Sequence, residues 1–388
     1  MRFSARNKMS KTFKGLMILL ACTALCCAVL SSSSDNPDLD EAILKEMQAR
    51  RIPSVAACVI KNDRVVWTGL YGLADKEYLV PASSRTNYLL ASLSKTVIAT
   101  AILQLKDRGL IDIDRDIGQY LPFQVRNPKF PLAAITPRML LTHSSGLTKP
   151  QTDDELPGFY DWFDPDAAPP LGQTMLEYLL PGGAHYVPAV WKDSAPGRRE
   201  VYSNLGPTLL AYLVECVSGE DFSSYCRNHI FLPLSMPETS YRIADLNAQL
   251  LAVRYMEDSG RIPHYTRRDY PAGQVKSSIE EFSHFLAAWM NDGVFNGTRI
   301  LNADTVNEAL RLHNRASGLC LIWNRLIGGW YGHSGGGHGS STYMEFQRQD
   351  KVGLIILSNM YHQSNNPIYH PAGKIYALVR NHANLFRG

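Results

Sequence analysis

The 388-residue chain holds seven cysteines and eleven histidines, yet it has no Cys-x-x-Cys pair and no His-Glu-x-x-His. Neither a zinc site nor a dithiol redox centre is therefore indicated. No internal repeat is visible, which excludes a solenoid or a propeller. An uncharged apolar run of about 20 residues, the length a membrane-spanning helix needs, is also missing; the best candidate, Leu16 to Leu30, is shorter. Acidic residues are absent from positions 1–34. The formal net charge of +3 is therefore misleading, because Arg2, Arg6, Lys8, Lys11 and Lys14 all fall in that segment and the remainder is weakly acidic. That balance gives no case for nucleic-acid binding.

What stands at the start is a basic stretch, then the apolar run, then Ser31 to Ser34. This order describes an export signal over 1–34, or an N-terminal anchor if it is not cleaved. Leu19-Leu20-Ala21-Cys22 also looks like a bacterial lipobox, with Cys22 as the lipidated residue. The expectation is an exported protein, periplasmic or extracellular, with membrane attachment through the N-terminus as a variant. Beyond the leader, Cys58, Cys216, Cys226 and Cys320 remain; Cys58 and Cys216 sit in apolar runs and read as small core residues. Export permits a disulfide among the four, whose pairing the sequence leaves open.

At 45% hydrophobic, the chain can bury a substantial core. Helical spacing runs from Leu39 to Gln48, and Ser54 to Ile60 and Arg64 to Leu70 read as strands joined at Asn62-Asp63. Further helices are predicted after Ser92, from Pro137, and over Leu205 to Val217, Ile279 to Trp289 and Ala303 to Leu312. Thr148 to Arg199, rich in Pro, Gly and Asp, has no clear period and reads as a long surface excursion. Leu319 to Trp323, Trp330 to Ser334, Thr342 to Gln347 and Val352 to Asn359 read as strands, and a last helix spans about Ala372 to Val379. Strands at both ends with helices between imply an α/β fold of the α+β kind. Its antiparallel sheet is built from about 38–82 and 315–388, its mainly helical insertion from about 83–314, and together they form one domain over 35–388.

Three short motifs carry chemistry. In Ser92-Leu93-Ser94-Lys95 a serine and a lysine stand three apart ahead of the apolar run Val97, Ile98, Ala101, Ile102, Leu105. If Ser92 opens that helix, Lys95 lies one turn along on the same face. A desolvated amine there can lose its proton near neutral pH and take the proton of the hydroxyl. Tyr202-Ser203-Asn204 precedes the Leu205 helix: a phenol can relay a proton, and an asparagine amide can fix a lysine and a substrate carbonyl. Gly332-His333-Ser334-Gly335-Gly336 ends a predicted strand, where glycines let a substrate lie along the edge. The backbone N–H groups of Gly336 and Ser92 would together face an oxyanion, with His333 and Ser334 as donors to a substrate carboxylate. His143, followed by two serines, invites a Ser-His pairing.

In this order and setting, the motifs resemble the serine β-lactamase and penicillin-binding superfamily, and more closely its class C branch, which also holds DD-peptidases and carboxylesterases. The likeness runs from about Leu39 to the C-terminus. It includes Leu141-Thr142-His143-Ser144-Ser145-Gly146-Leu147, the stretch from Pro196-Gly197 to Asn204, Pro233-Leu234-Ser235-Met236 and Pro271-Ala272-Gly273. The resemblance implies that Ser92 is the nucleophile and Lys95 its proton acceptor, that Tyr202 is the acid or base on the leaving group, that Asn204 contacts both the substrate and the lysine, and that His333, Ser334 and Gly335 contact the substrate. It also implies that the loop holding His143 is structural. It implies no cofactor, no metal, and a small-molecule or peptide-like substrate. The usual Lys-Thr-Gly of the third motif is His333-Ser334-Gly335 here. A neutral imidazole lacks lysine's permanent charge, so the expectation is cleavage of a peptide-like amide or an ester before efficient β-lactam turnover. A penicillin-binding or sensor-like pseudoenzyme of the same fold is the alternative.

Gly332-x-Ser334-x-Gly336 also satisfies the nucleophile elbow of α/β-hydrolases, with Asp350 and His362 or His370 following in the right order. An elbow requires a helix directly after the serine, and here glycines and a strand pattern follow.

Overall fold

The computed structural model describes residues 36–148, 156–256, 260–315, 317–361 and 373–388. The leader over 1–34 with Cys22, and His362 and His370, lie outside the described residues.

Helix α1 (Pro37–Ala49) is started by Asn36, whose side chain accepts from the Leu39 amide, and it buries Leu39, Ile43 and Met47 along one stripe. Strands β1 (Ser54–Lys61) and β2 (Arg64–Asp75) follow as a hairpin. Asn62 takes the left-handed conformation, φ 60°, that such a tight turn demands and asparagine tolerates. With β3 (Val80–Pro81) these strands form one side of a seven-stranded sheet. The other side comes from β4 (Asn324–Arg325), β5 (Trp330–Gly337), β6 (Ser340–Gln347) and β7 (Val352–Ser358). The order is β4-β5-β6-β7-β1-β2-β3, with every neighbour antiparallel. The seam lies between β1 and β7, where Val55 faces Ser358 and Lys61 faces Val352.

Period-two alternation divides the side chains of β1 between two cores. Val55, Ala57 and Val59 point outward with Leu354 and Ile356 onto α1 and the last helix, α6 (Lys374–Asn384). Ala56, Cys58 and Ile60 point inward with Ile355 and Leu357 onto the helical layer. That layer is built from α2 (Ser94–Asp107), α3 (Leu171–Leu179), α4 (Leu205–Ser218) and α5 (Ile279–Met290). Both faces of β1 are thus covered, which explains its nearly unbroken apolar sequence. On the outer face Glu345, fully buried, pairs with Arg380 of α6.

Four expectations change. Ser92 does not open an α-helix: Ala91–Leu93 form a 3-10 turn that feeds α2 from Ser94, and Ala91 sits at φ 48°. That conformation costs a Cβ-bearing residue roughly 1–2 kcal/mol. Leu319 to Trp323 is not a strand but a buried turn with Ile322 at φ 68°; the strand beside β5 is β4. An apolar run reports burial, and a short one does not distinguish extension from a packed turn. The stretch after Thr148 is no mere surface excursion, because α3 lies within it and Phe159, Leu171, Met175 and Tyr178 are in the core. The last helix, Lys374–Asn384, ends beyond the predicted Val379.

Cys58, Cys216, Cys226 and Cys320 are free thiols. Among the described residues no helix is long and apolar enough to cross a membrane.

Candidate active site

The 3-10 turn brings Ser92 to the wall of a cleft of about 660 Å³ while Lys95, on the first turn of α2, is fully buried behind it. Lys95 Nζ donates to Ser92 Oγ at 3.0 Å and to the carbonyl of Ala272 at 2.9 Å. The Tyr202 hydroxyl donates to the same Ser92 Oγ at 2.9 Å, and the Lys95 ammonium lies 5.0 Å from the centre of the Tyr202 ring. A hydroxyl, an amine and a phenol from two distant segments thus meet at one oxygen. Proton exchange among groups at such distances needs no movement of the backbone.

Ala272 belongs to a short turn, Tyr270–Ala272. Sequence reading singled out its Pro-Ala-Gly without giving it a task; its carbonyl is what ties Lys95 down.

His143 lies under Tyr202, with ring centres 4.6 Å apart. Its Nδ1 accepts from the Ser203 N–H at 3.3 Å, so the ring proton is on Nε2. Burial, then the charge of Lys95, push its pKa down to about 3, and it packs as a neutral ring. It makes no Ser-His pair with Ser92; it supports the loop that carries Tyr202.

Asn204 donates from Nδ2 to Asp269 at 2.8 Å, and its buried Oδ1 has no hydrogen-bond partner among the described residues. Because an ionised carboxylate only accepts, Asp269 dictates which end of the amide faces it. Asp269, itself fully buried, is paired at 2.9 Å with Arg267, whose guanidinium lies over the Tyr160 ring at 4.9 Å. Tyr160, Asn204 and Arg267 all line the cleft. Among its described lining residues Arg267 is the one with a permanent charge, and Asp269 cancels it.

Strand β5 supplies Gly336 and Gly337 to the cleft wall, with Ser92 opposite. Ser92 and Gly336, the two residues proposed from sequence for the oxyanion, thus line one cleft. Gly335 is held so close that a Cβ there would lie 2.5 Å from the Leu90 carbonyl oxygen and 2.9 Å from the Ser92 nitrogen. No side chain fits between strand and turn. His333 is buried beneath the wall, on the inner face with Lys95 and His143 in electrostatic reach; burial and then Lys95 push its pKa down to about 4. Ser334 is half-buried and pairs with Tyr343 in mid-strand. Neither lines the cleft.

That registry decides the rival reading. Ser334 sits in a continuous strand followed by another strand, and Asp350, at the β6–β7 turn, accepts from Arg387. No helix follows the serine, so there is no nucleophile elbow.

The Beta-lactamase family matches residues 39–372. The chain belongs to the beta-lactamase family. Protein flp of Staphylococcus aureus (strain NCTC 8325 / PS 47) is 23% identical over 264 residues, covering 67% of this chain and 50% of that protein. The chain thus spans about half the length of the first curated relatives it matches. Among solved structures of the fold, the octameric penicillin-binding protein homologue from Pyrococcus abyssi aligns with TM-score 0.73 and 22% identity, over 92% of this chain and 78% of that one. A class C beta lactamase from Rhodobacter sphaeroides aligns with TM-score 0.69 and 20% identity, over 89% and 99%. These likenesses to beta-lactamase-family structures concern the fold.

Tyr160, Arg267, Asp269 and Gln274 escaped the sequence reading. They lie outside the three motifs, and only the folded chain brings them to Asn204 and the cleft.

Proposed function

We propose that this member of the beta-lactamase family is a serine hydrolase that cleaves an amide or an ester through an acyl-enzyme on Ser92. The observation that carries the reading is the Ser92 oxygen, held at 3.0 Å by Lys95 and 2.9 Å by Tyr202 on the wall of a cleft. In acylation the Ser92 oxygen attacks the substrate carbonyl carbon as its proton passes to the Lys95–Tyr202 pair. Tyr202 hands a proton to the leaving group as the scissile bond breaks. Water then attacks the acyl carbon and loses a proton to the same pair, which returns one to the Ser92 oxygen as the acyl bond breaks, so that Ser92 is freed in its starting state. The Ser92 and Gly336 N–H groups stabilise the oxyanion in both steps. We further propose that the protein is exported, as its basic and apolar start suggests; N-terminal sequencing of the secreted form tests this.

The test is mass spectrometry after exposure to a fluorophosphonate and a reporter penicillin, with turnover of p-nitrophenyl acetate and nitrocefin by wild type, Ser92→Ala and Ser334→Ala. Modification at Ser92, with activity abolished in Ser92→Ala and kept in Ser334→Ala, is the expected result. Activity lost only with Ser334→Ala overturns it. A permanent adduct on Ser92 without turnover makes the protein a penicillin-binding or sensor-like relative instead.

A further inference from the structure

At the mouth of the cleft, three planar groups are layered. The Tyr265 ring, almost fully buried, has the Arg254 guanidinium on one face, 4.2 Å from the ring centre. On Tyr265 the Trp162 indole lies stacked, with ring centres 4.2 Å apart and planes 5° from parallel. His338 stands edge-on to both, 5.2 Å from Trp162 and 6.3 Å from Tyr265. The backbone fixes the layering: Phe163 and Thr266, the next residue along from each stacked ring, exchange hydrogen bonds in both directions at 3.0 Å. Tyr265 and His338 line the same cleft as Ser92.

Trp162 is nonetheless 44% exposed. Tyr265 covers one of its faces, so what water meets is the other face and the free edge. Large aromatic side chains are usually buried, and one left open on a rigid support beside a binding cleft is an anchor for a ligand. Because its orientation is already set by the stack and by the pinned backbone, little conformational freedom is lost when something lies on it.

We propose that Trp162 is a stacking subsite of the cleft and that the substrate class is an ester or amide carrying an aromatic ring, which lies flat on the indole while the scissile carbonyl sits at Ser92. This rests on the hydrolase reading above, but the test separates the two. One probe, ethyl 4-phenylbutyrate, carries the ring on the acyl side; the other, 3-phenylpropyl acetate, carries it on the leaving side. Each is compared with ethyl acetate in wild type, Trp162→Phe and Trp162→Leu. The kcat/KM preference for at least one ring-bearing ester should fall roughly 3- to 10-fold in Trp162→Leu, the usual worth of an aromatic stack, and recover largely in Trp162→Phe. A preference unchanged in both variants, for both esters, overturns the subsite while leaving Ser92 chemistry intact. If no ester is turned over, the Ser92→Ala protein is titrated with 4-(4-nitrophenyl)butyramide and its tryptophan fluorescence followed. Saturable quenching that disappears when Trp162→Phe is added supports the subsite. Quenching that persists with the other five tryptophans, or none at all, overturns it.

Discussion

The Nδ1 atom of His333 lies 2.8 Å from the carbonyl oxygen of Ser334. A carbonyl only accepts, so Nδ1 carries the proton, and in the neutral ring Nε2 is a bare acceptor. The residue at the third-motif position therefore offers neither charge nor donor to a carboxylate. Because that side chain also lies beneath the cleft wall, the ratio of kcat/KM for a monosuccinate ester over its methyl-capped counterpart should be unchanged in the His333→Lys variant. Steady-state rates on the pair check it, and a rise of about tenfold, the worth of one charge-assisted hydrogen bond, would mean that the side chain at 333 does reach the substrate.

The same histidine bears on acid stability. In the unfolded chain its ring takes up a proton near pH 6.5, whereas in the fold burial and the charge of Lys95 hold its pKa down to about 4. Between those two pH values the unfolded state binds more protons, so stability falls as pH drops from about 6.5 to about 4, by up to about 1.4 kcal/mol per pH unit for one such group. His143, at about 3, and His264, at about 4, add in the same direction. Urea midpoints at pH 7.5, 5.5 and 4.5 should show a shallower acid loss in His333→Gln than in wild type. Parallel curves would contradict a neutral buried ring.

Replacing Lys95 should cost a rate factor of about 10² to 10⁴, the worth of a positioned proton acceptor. Lys95→Ala also strands the Ala272 carbonyl, for a further loss of about 1–3 kcal/mol in stability. Lys95→Met keeps most of the volume and separates the two effects. Near wild-type turnover in a folded Lys95→Met would remove the amine from the chemistry.

Asp269 does not touch the Ser92 triad, but it aims Asn204. In Asp269→Asn the partner amide can turn either way round, and the Arg267 guanidinium is left without its counter-charge. We expect kcat/KM to fall by about 10- to 100-fold through misorientation and the fold to lose about 3–5 kcal/mol from the unpaired buried cation. Fluorophosphonate labelling of Ser92, which needs no amide contact, should be slowed far less than substrate turnover. Equal slowing of both would mean that Asp269 acts through the fold alone.

Gly335→Ala places a methyl 2.3 Å from Thr342 Oγ1 and 2.5 Å from the Leu90 carbonyl oxygen. The strand must shift away from the turn that carries Ser92. Overpacking of this kind costs about 1–3 kcal/mol, and the displaced wall should lower turnover by about 10². Thermal melts alongside rates distinguish a moved site from an unfolded one.

Much of this was legible before the fold was known, for identifiable reasons. Ser92 and Lys95 are three residues apart, so any helical turn brings them together whatever the rest of the chain does. The sheet was readable because its two central strands, β1 and β7, are almost wholly apolar along their length and are bounded by turn residues. Tyr202 is different: nothing local aims a phenol at an oxygen 110 residues earlier, and only the resemblance did so. Asp269 and Arg267 had no signal at all, since a charged pair in a loop looks the same whether it is solvated or sealed against Asn204. Leu319 to Trp323 misled because burial and extension produce the same string of apolar letters.

The seam between β1 and β7 has a consequence for synthesis. Val55–Lys61 leaves the ribosome nearly three hundred residues before Val352–Ser358, the strand that completes its pairing. Until then the nascent chain carries an unpaired, almost wholly apolar edge, the kind of surface that associates wrongly with its neighbours. The hairpin partner β2 shields one side of β1, and the other must be guarded by a chaperone or by prompt folding of the helical layer.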